Sequence, residues 1–174
     1  MPAKIVSIIK ERRSVRRFKK EPVSREVIEN LLEAARWAPS GGNIQPWFFY
    51  VVGDQDKRAC LAAASLNQRF IAEAPVVIVV CAEPSRSARI YGERGRYVYC
   101  IQDTAAAVQN ILLAATAYGL GSCWVGAFDE NQVRHCLGIP AERRPVALIP
   151  LGYPDIDPEK RTGRRSLDEI RKYL

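Results

Sequence analysis

Residues 75–82, PVVIVVCA, form an apolar run with no polar alternation. A strand with one face in water alternates; a strand without alternation is covered on both faces, which predicts a sheet with helices on either side. Working outward, WFFYVV at 47–52 is aromatic and β-branched between Pro46 and Gly53, and predicts a second buried strand. Asp54 opens a short helix around residues 55–66, and PVALIPL at 145–151 predicts the strand that closes the sheet. From Tyr97 to Tyr118, Ile101, Ala105, Val108, Ile111, Leu112 and Ala115 keep helical spacing until Gly119. That segment is apolar nearly all round, as the central helix of a fold should be.

The remaining elements follow from caps and breakers. Ile5, Val6, Ile8 and Ile9 predict a short helix leading into a basic loop that Pro22 ends. Ser24 caps a helix with Val27, Ile28, Leu31, Leu32 and Ala35 on one face, and Pro39 stops it. Asp129 starts another, terminated by Gly138 and Pro140. GSCWVGAF at 121–128 reads as a short strand or turn. After Tyr153 the chain turns polar, until Ser166 and Glu169 form a capping-box pattern for a last short helix; such a tail needs a surface to lie against. Helices and strands intermix without strict βαβ alternation, which argues for an α+β fold over a doubly wound sheet.

The length, 174 residues, suits one domain over 1–174, and 48% hydrophobic with 26% charged residues is the balance of a chain that folds. The formal charge of +7 favours a basic surface or an anion site. Its Lys and Arg are scattered over 10–20, 86–96, 143–144 and 160–172 rather than gathered in one stripe, which speaks against nucleic acid as the partner. Cys60, Cys81, Cys100, Cys123 and Cys136 are odd in number, lie in apolar surroundings and show no metal-type spacing, so they are expected to be buried free thiols in a reducing compartment. The short apolar cluster at the N-terminus is too brief for a signal or a membrane span, and a cytoplasmic protein without a membrane partner is the expectation.

Three stretches can carry chemistry. Arg12-Arg13-Ser14, with Arg16 and Arg17, places guanidinium forks beside a hydroxyl, the groups that grip a phosphate; by itself the stretch also fits a solvated basic turn. In 38–47, APSGGNIQPW, small residues let backbone approach a ligand while Asn43 and Gln45 supply donors and acceptors; a plain Gly-rich connection is the other reading. In 119–126, GLGSCWVG, glycines expose backbone N–H groups and Trp124 offers a flat apolar surface, as a tight turn in a core also would. No dinucleotide or P-loop glycine pattern is present, and His135 stands on a predicted helix with no triad partners in its neighbourhood.

Taken together, in this order and spacing, the three stretches resemble the nitroreductase family, whose chains carry R-[RH]-S-x-[RK], A-P-S-x-x-N-x-Q-P-W and G-L-G-x-x-W-x-G segments. The resemblance runs from Ile5 to Arg165. It implies an obligate, interlocked homodimer with one FMN at each of two interfacial sites, NADH or NADPH as electron donor and a small-molecule acceptor of nitroaromatic or quinone type. By resemblance, Arg12, Arg13, Ser14 and Arg16 contact the ribityl chain, phosphate and pyrimidine edge, with Arg164 and Arg165 completing the phosphate clamp. Pro39, Ser40, Gly41, Asn43 and Gln45 come from the other subunit. Asn67 lies on the isoalloxazine ring, Phe70 standing where larger members have Lys, and backbone groups of Trp124, Val125 and Gly126 bond its N5 or O4 edge. The same resemblance admits dehalogenation, dehydrogenation and non-catalytic flavin binding. No protein acid or base is assigned, because the flavin carries the redox chemistry. Residues 83–98, polar and arginine-rich, are expected to form a lid.

Overall fold

The computed structural model describes residues 2–155 and 162–174; for residues 2 and 3 it describes the backbone only. The elements in chain order are α1 (Pro2–Glu11), α2 (Arg25–Arg36), a 3-10 turn (Gly41–Asn43), β1 (Trp47–Val52), α3 (Gln55–Ala64), α4 (Phe70–Glu73), β2 (Val76–Ala82) and α5 (Pro84–Arg94). A π turn (Gly95–Tyr99) leads into α6 (Cys100–Ala117), followed by β3 (Gly121–Ser122), α7 (Glu130–Leu137) and β4 (Arg144–Gly152). The four strands form one antiparallel sheet in the order β1-β2-β4-β3.

Every residue of β2 is buried, and the two sides of the strand meet different helices. Val76, Ile78 and Val80 join Leu31 and Ala35 of α2 and Ala107, Val108 and Ile111 of α6; Val77, Val79 and Cys81 join Leu61 of α3, Ile71 of α4 and Val133 of α7. This is the α+β architecture expected from the unalternating run, with helices on both faces. Ser24 and Asp54 cap α2 and α3 as their positions predict, each accepting a backbone N–H from three residues on.

Several expectations are corrected. Strand 145–151 does not close the sheet: β4 lies inside it, between β2 and β3. Its prolines are tolerated there for local reasons. Pro145 sits at a bulge, and Pro150 turns its carbonyl, and with it its missing N–H, toward Cys123 and the two-residue strand β3 rather than toward β2. The helix expected over 55–66 ends at Ala64, because Leu66 and Asn67 take left-handed backbone at φ 57° and 56°. The long helix begins at Cys100 rather than Tyr97, after the π turn, and most of the stretch expected as a lid is helical. Ser166 and Glu169 do exchange capping-box hydrogen bonds, but turns follow instead of a helix, and the whole tail 162–174 is exposed.

The expectation of five free thiols is also overturned. Cys60 of α3 and Cys136 of α7 are joined by a disulfide, while Cys81, Cys100 and Cys123 are free and buried. Both helices pack on one face of the sheet, which brings the two Cα atoms to 5.8 Å although 76 positions separate them in sequence.

Candidate functional site

The basic stretch is pinned along its backbone although Ser14, Arg16 and Arg17 are exposed to solvent. Val15 N–H donates to Ser122 O at 2.9 Å and Ser14 bridges Ser122 in parallel register, so residues 12–16 run beside the segment that follows α6. Arg17 O and Tyr153 O accept from Asp155 and Lys19 and extend that seam. Cys123 reports on the surroundings: burial pushes its thiol up, while Arg16, Ser14 and Arg12 pull it partly back down. Arg12, Ser14 and Arg16 therefore gather at Ser122-Cys123. The Arg16 guanidinium stands 5.8 Å from the centroid of the Phe70 ring, which brings the third piece, α3 to α4, to the same place.

Asn67 lies in that third piece. Asp129 N–H donates to Ala64 O, and the Gln68 side-chain amide donates to Ser65 O and Ala127 O, tying the bend after α3 to the end of the 121–128 segment. Val125 exchanges two hydrogen bonds with Leu148 of β4 and is buried, whereas Trp124 and Gly126, on either side of it, are exposed. Leu66 is 75% and Trp124 41% exposed. One part of the surface, hereafter the basic cleft, thus combines the basic residues of 12–16, the apolar side chains of Leu66, Phe70 and Trp124, and the backbone of 122–126.

The loop 38–47 lies elsewhere. Ser40 Oγ accepts Gln45 N–H at 2.9 Å, the Gln45 amide donates to Asn43 Oδ1 at 3.2 Å, and Gly41 N–H donates to Asp103 Oδ1 at 3.2 Å in the first turn of α6. Pro39 enters the loop from α2, exposed. From Asp103 to Ala117 the helix advances about 21 Å at 1.5 Å per residue. Along the sheet, Trp47 pairs Ala82 at one end of β2, while Leu151 pairs both Val76 and Ser122 at the other, about 20 Å away for a strand of this length. The loop and the basic cleft of one chain are therefore at opposite ends of the molecule and cannot close on the same small ligand.

Strain marks both places. Among the described residues, the non-glycine positions with left-handed backbone are Asn43, Gln45, Leu66 and Asn67, two in each loop. Such conformations cost free energy and persist where the surrounding structure holds them, typically at binding sites. Arg164 and Arg165 do not join the basic cluster in the isolated chain: Arg164 donates to Thr162 and Gly163, and Arg165 to Glu169, all within the tail. His135 is exposed on α7. Asp103 was not picked out from sequence, although an acid between Ile101 and Ala107 on so apolar a helix is a signal that could have found it.

A sheet layered between helices, with basic residues 12–16 beside the segment after α6 at one end and a glycine loop with left-handed backbone at the other, is the α+β fold in which the three sequence stretches are placed. The model of the nitroreductase family matches residues 9–68 and 62–153, and the chain belongs to that family. An Archaeoglobus fulgidus protein with the provisional name NADH dehydrogenase/NAD(P)H nitroreductase is 38% identical over 153 residues, covering 86% of this chain and 84% of its own. An iodotyrosine deiodinase of Thermotoga neapolitana is 30% identical, covering 94% and 95%. A nitroreductase family protein from Streptococcus pneumoniae superposes with a TM-score of 0.85 at 28% identity, covering 97% and 99% of the two chains.

Among the described residues no helix is long and apolar enough to cross a membrane, and no group of three or more His, Cys, Asp or Glu is placed to hold a metal.

Proposed function

We propose that the chain is an FMN-dependent oxidoreductase that takes hydride from NADH or NADPH and passes electrons to a small electrophilic acceptor, working as a homodimer. The convergence of Arg12, Ser14 and Arg16 on the 122–126 segment carries the reading. Three guanidiniums with Arg13, a hydroxyl and backbone amides form the donor set a phosphate requires, and the adjoining apolar surfaces suit a flat ring. FMN, when bound, supplies the acceptance and release of hydride. This chain's residues hold the phosphate at 12–16, offer Asn67 and the backbone of Trp124 and Gly126 to the ring, and leave one face open; Val125, expected from the resemblance to join them, spends its N–H and carbonyl on Leu148 instead.

With one open face, the nicotinamide must leave before the acceptor enters, a ping-pong order. The separation of about 20 Å between cleft and loop supports two-fold assembly, since Ser40, Gly41, Asn43 and Gln45 then complete the site of a second copy. Exposed apolar residues Ile5, Ile9, Trp37, Tyr97 and the tail's Leu167 and Tyr173 are surface for such an interface. Arg164 and Arg165 reach a phosphate only in that arrangement. Reduced nicotinamides are made inside cells, so this reading keeps the chain in the cytoplasm.

The test is direct. Purified protein should carry, or take up, one FMN per chain, and anaerobic addition of NADH or NADPH should bleach the flavin, with nitroaromatic or quinone restoring it. FMN bound but not bleached by either nucleotide would leave a flavin carrier. Restoration by an iodinated phenol, with iodide release, and not by nitro compounds would select the dehalogenating alternative that the Thermotoga relative suggests.

A further inference from the structure

Asp103 is 8% exposed, in the first turn of the most apolar helix of the fold. Its Oδ1 accepts the Gly41 N–H, 62 positions earlier, while Oδ2 is buried without a hydrogen-bond partner among the described residues. A carboxylate with one oxygen buried and unsatisfied costs folding stability, and its neighbours at 105–107 are alanines that would fit the site at no such cost. Its hydrogen bond to Gly41 supplies the compensating use.

That bond fastens the loop to α6. Inside the loop, Asn43 N–H reaches Ser40 O and Ile44 N–H reaches Gly41 O, with Gly42, Asn43 and Gln45 all left-handed. These bonds curl the loop on itself, and a β-carbon at Gly41 would meet the rings of Tyr91 and Tyr99 at 3.4 and 3.8 Å. The Asp103 carboxylate gives the curl its seat. We propose that Asp103 is the positioning residue of the cofactor loop, its Oδ1 bond to Gly41 holding residues 40–45 in the conformation that receives the flavin bound by a second copy. The proposal rests on the FMN reading and adds to it a residue that touches neither cofactor nor substrate.

The variants are Asp103→Ala, which removes the acceptor, and Asp103→Asn, which keeps it. In the full-length protein, Asp103→Ala should raise the FMN dissociation constant about tenfold, the loss of one useful hydrogen bond, while the apo-protein melts at or above the wild-type temperature. Asp103→Asn should bind FMN within about twofold of wild type. Amide exchange at Asn43 and Ile44 of the apo-protein should accelerate in the alanine variant alone. A merely structural Asp103 would instead lower the melting temperature of the alanine variant, and that result overturns the proposal. So does an unchanged FMN constant in that variant, or an asparagine variant as weak as alanine. Wild-type protein that takes up no FMN sinks the functional reading instead; exchange at Asn43 and Ile44 then decides the loop-seating claim by itself.

Discussion

At Gly121 a β-carbon would stand 2.6 Å from Val15 Cγ1, so the chain's own basic segment claims the space that glycine leaves. Gly121→Ala should destabilise the fold by about 1–3 kcal/mol, the usual cost of overpacking, and loosen FMN by pushing 12–16 away; urea midpoints and a flavin titration measure both. Arg13→Ala and Ser14→Ala should weaken FMN retention with the circular dichroism unchanged; equal flavin occupancy in both would count against a phosphate at this place. Asp103 supplies a pH dependence. Burial holds its carboxyl above the usual 3.8, against a smaller pull from the Gly41 N–H, so the native state binds that proton more tightly than the unfolded chain does. Its contribution to stability is greatest below about pH 4 and declines as pH rises through the raised value. The melting-temperature difference between wild type and Asp103→Asn should therefore shift against wild type across that window, and a flat difference would contradict the sign.

At the scale of elements, the pairing of α3 with α7 matters most, because each helix borders a loop of the cleft. The Ala64–Asp129 hydrogen bond and the Cys60–Cys136 disulfide tie the two together directly behind Leu66, Asn67 and the 121–128 segment. Closing a loop of 76 positions removes denatured-state entropy worth about 4.5 kcal/mol at most. Cys60→Ser, or reduction of the wild type, should lower the melting temperature, with the flavin constant following to the extent that the cleft wall loosens. No change in melting on reduction would mean the bridge adds nothing in solution. The free thiols should be inert by contrast: burial pushes Cys81 up to about 12, so a maleimide should label it only on unfolding.

At the scale of the molecule, a tail exposed along its whole described length carries Leu167, Ile170 and Tyr173, the last 83% exposed. Apolar side chains left in water on such a tail call for a covering surface. Removing residues 162–174 should convert a dimer to a monomer and lower flavin retention, read by light scattering and absorbance; a truncated chain still dimeric and yellow would remove the tail from the site. What could be read in the chain alone was what depends on neighbours in sequence. The unalternating 75–82 run, the caps Ser24 and Asp54, the apolar length of α6 and the three motifs all follow from local chemistry and the strand and helix periods. Only the tertiary structure decided which distant pieces meet. It placed β4 inside the sheet, joined Cys60 to Cys136, set 12–16 against Ser122 and parted the glycine loop from the basic cleft by the length of a helix. The reason is physical: local periodicity records which faces are buried, whereas the identity of the partner across a face is set by how whole elements pack.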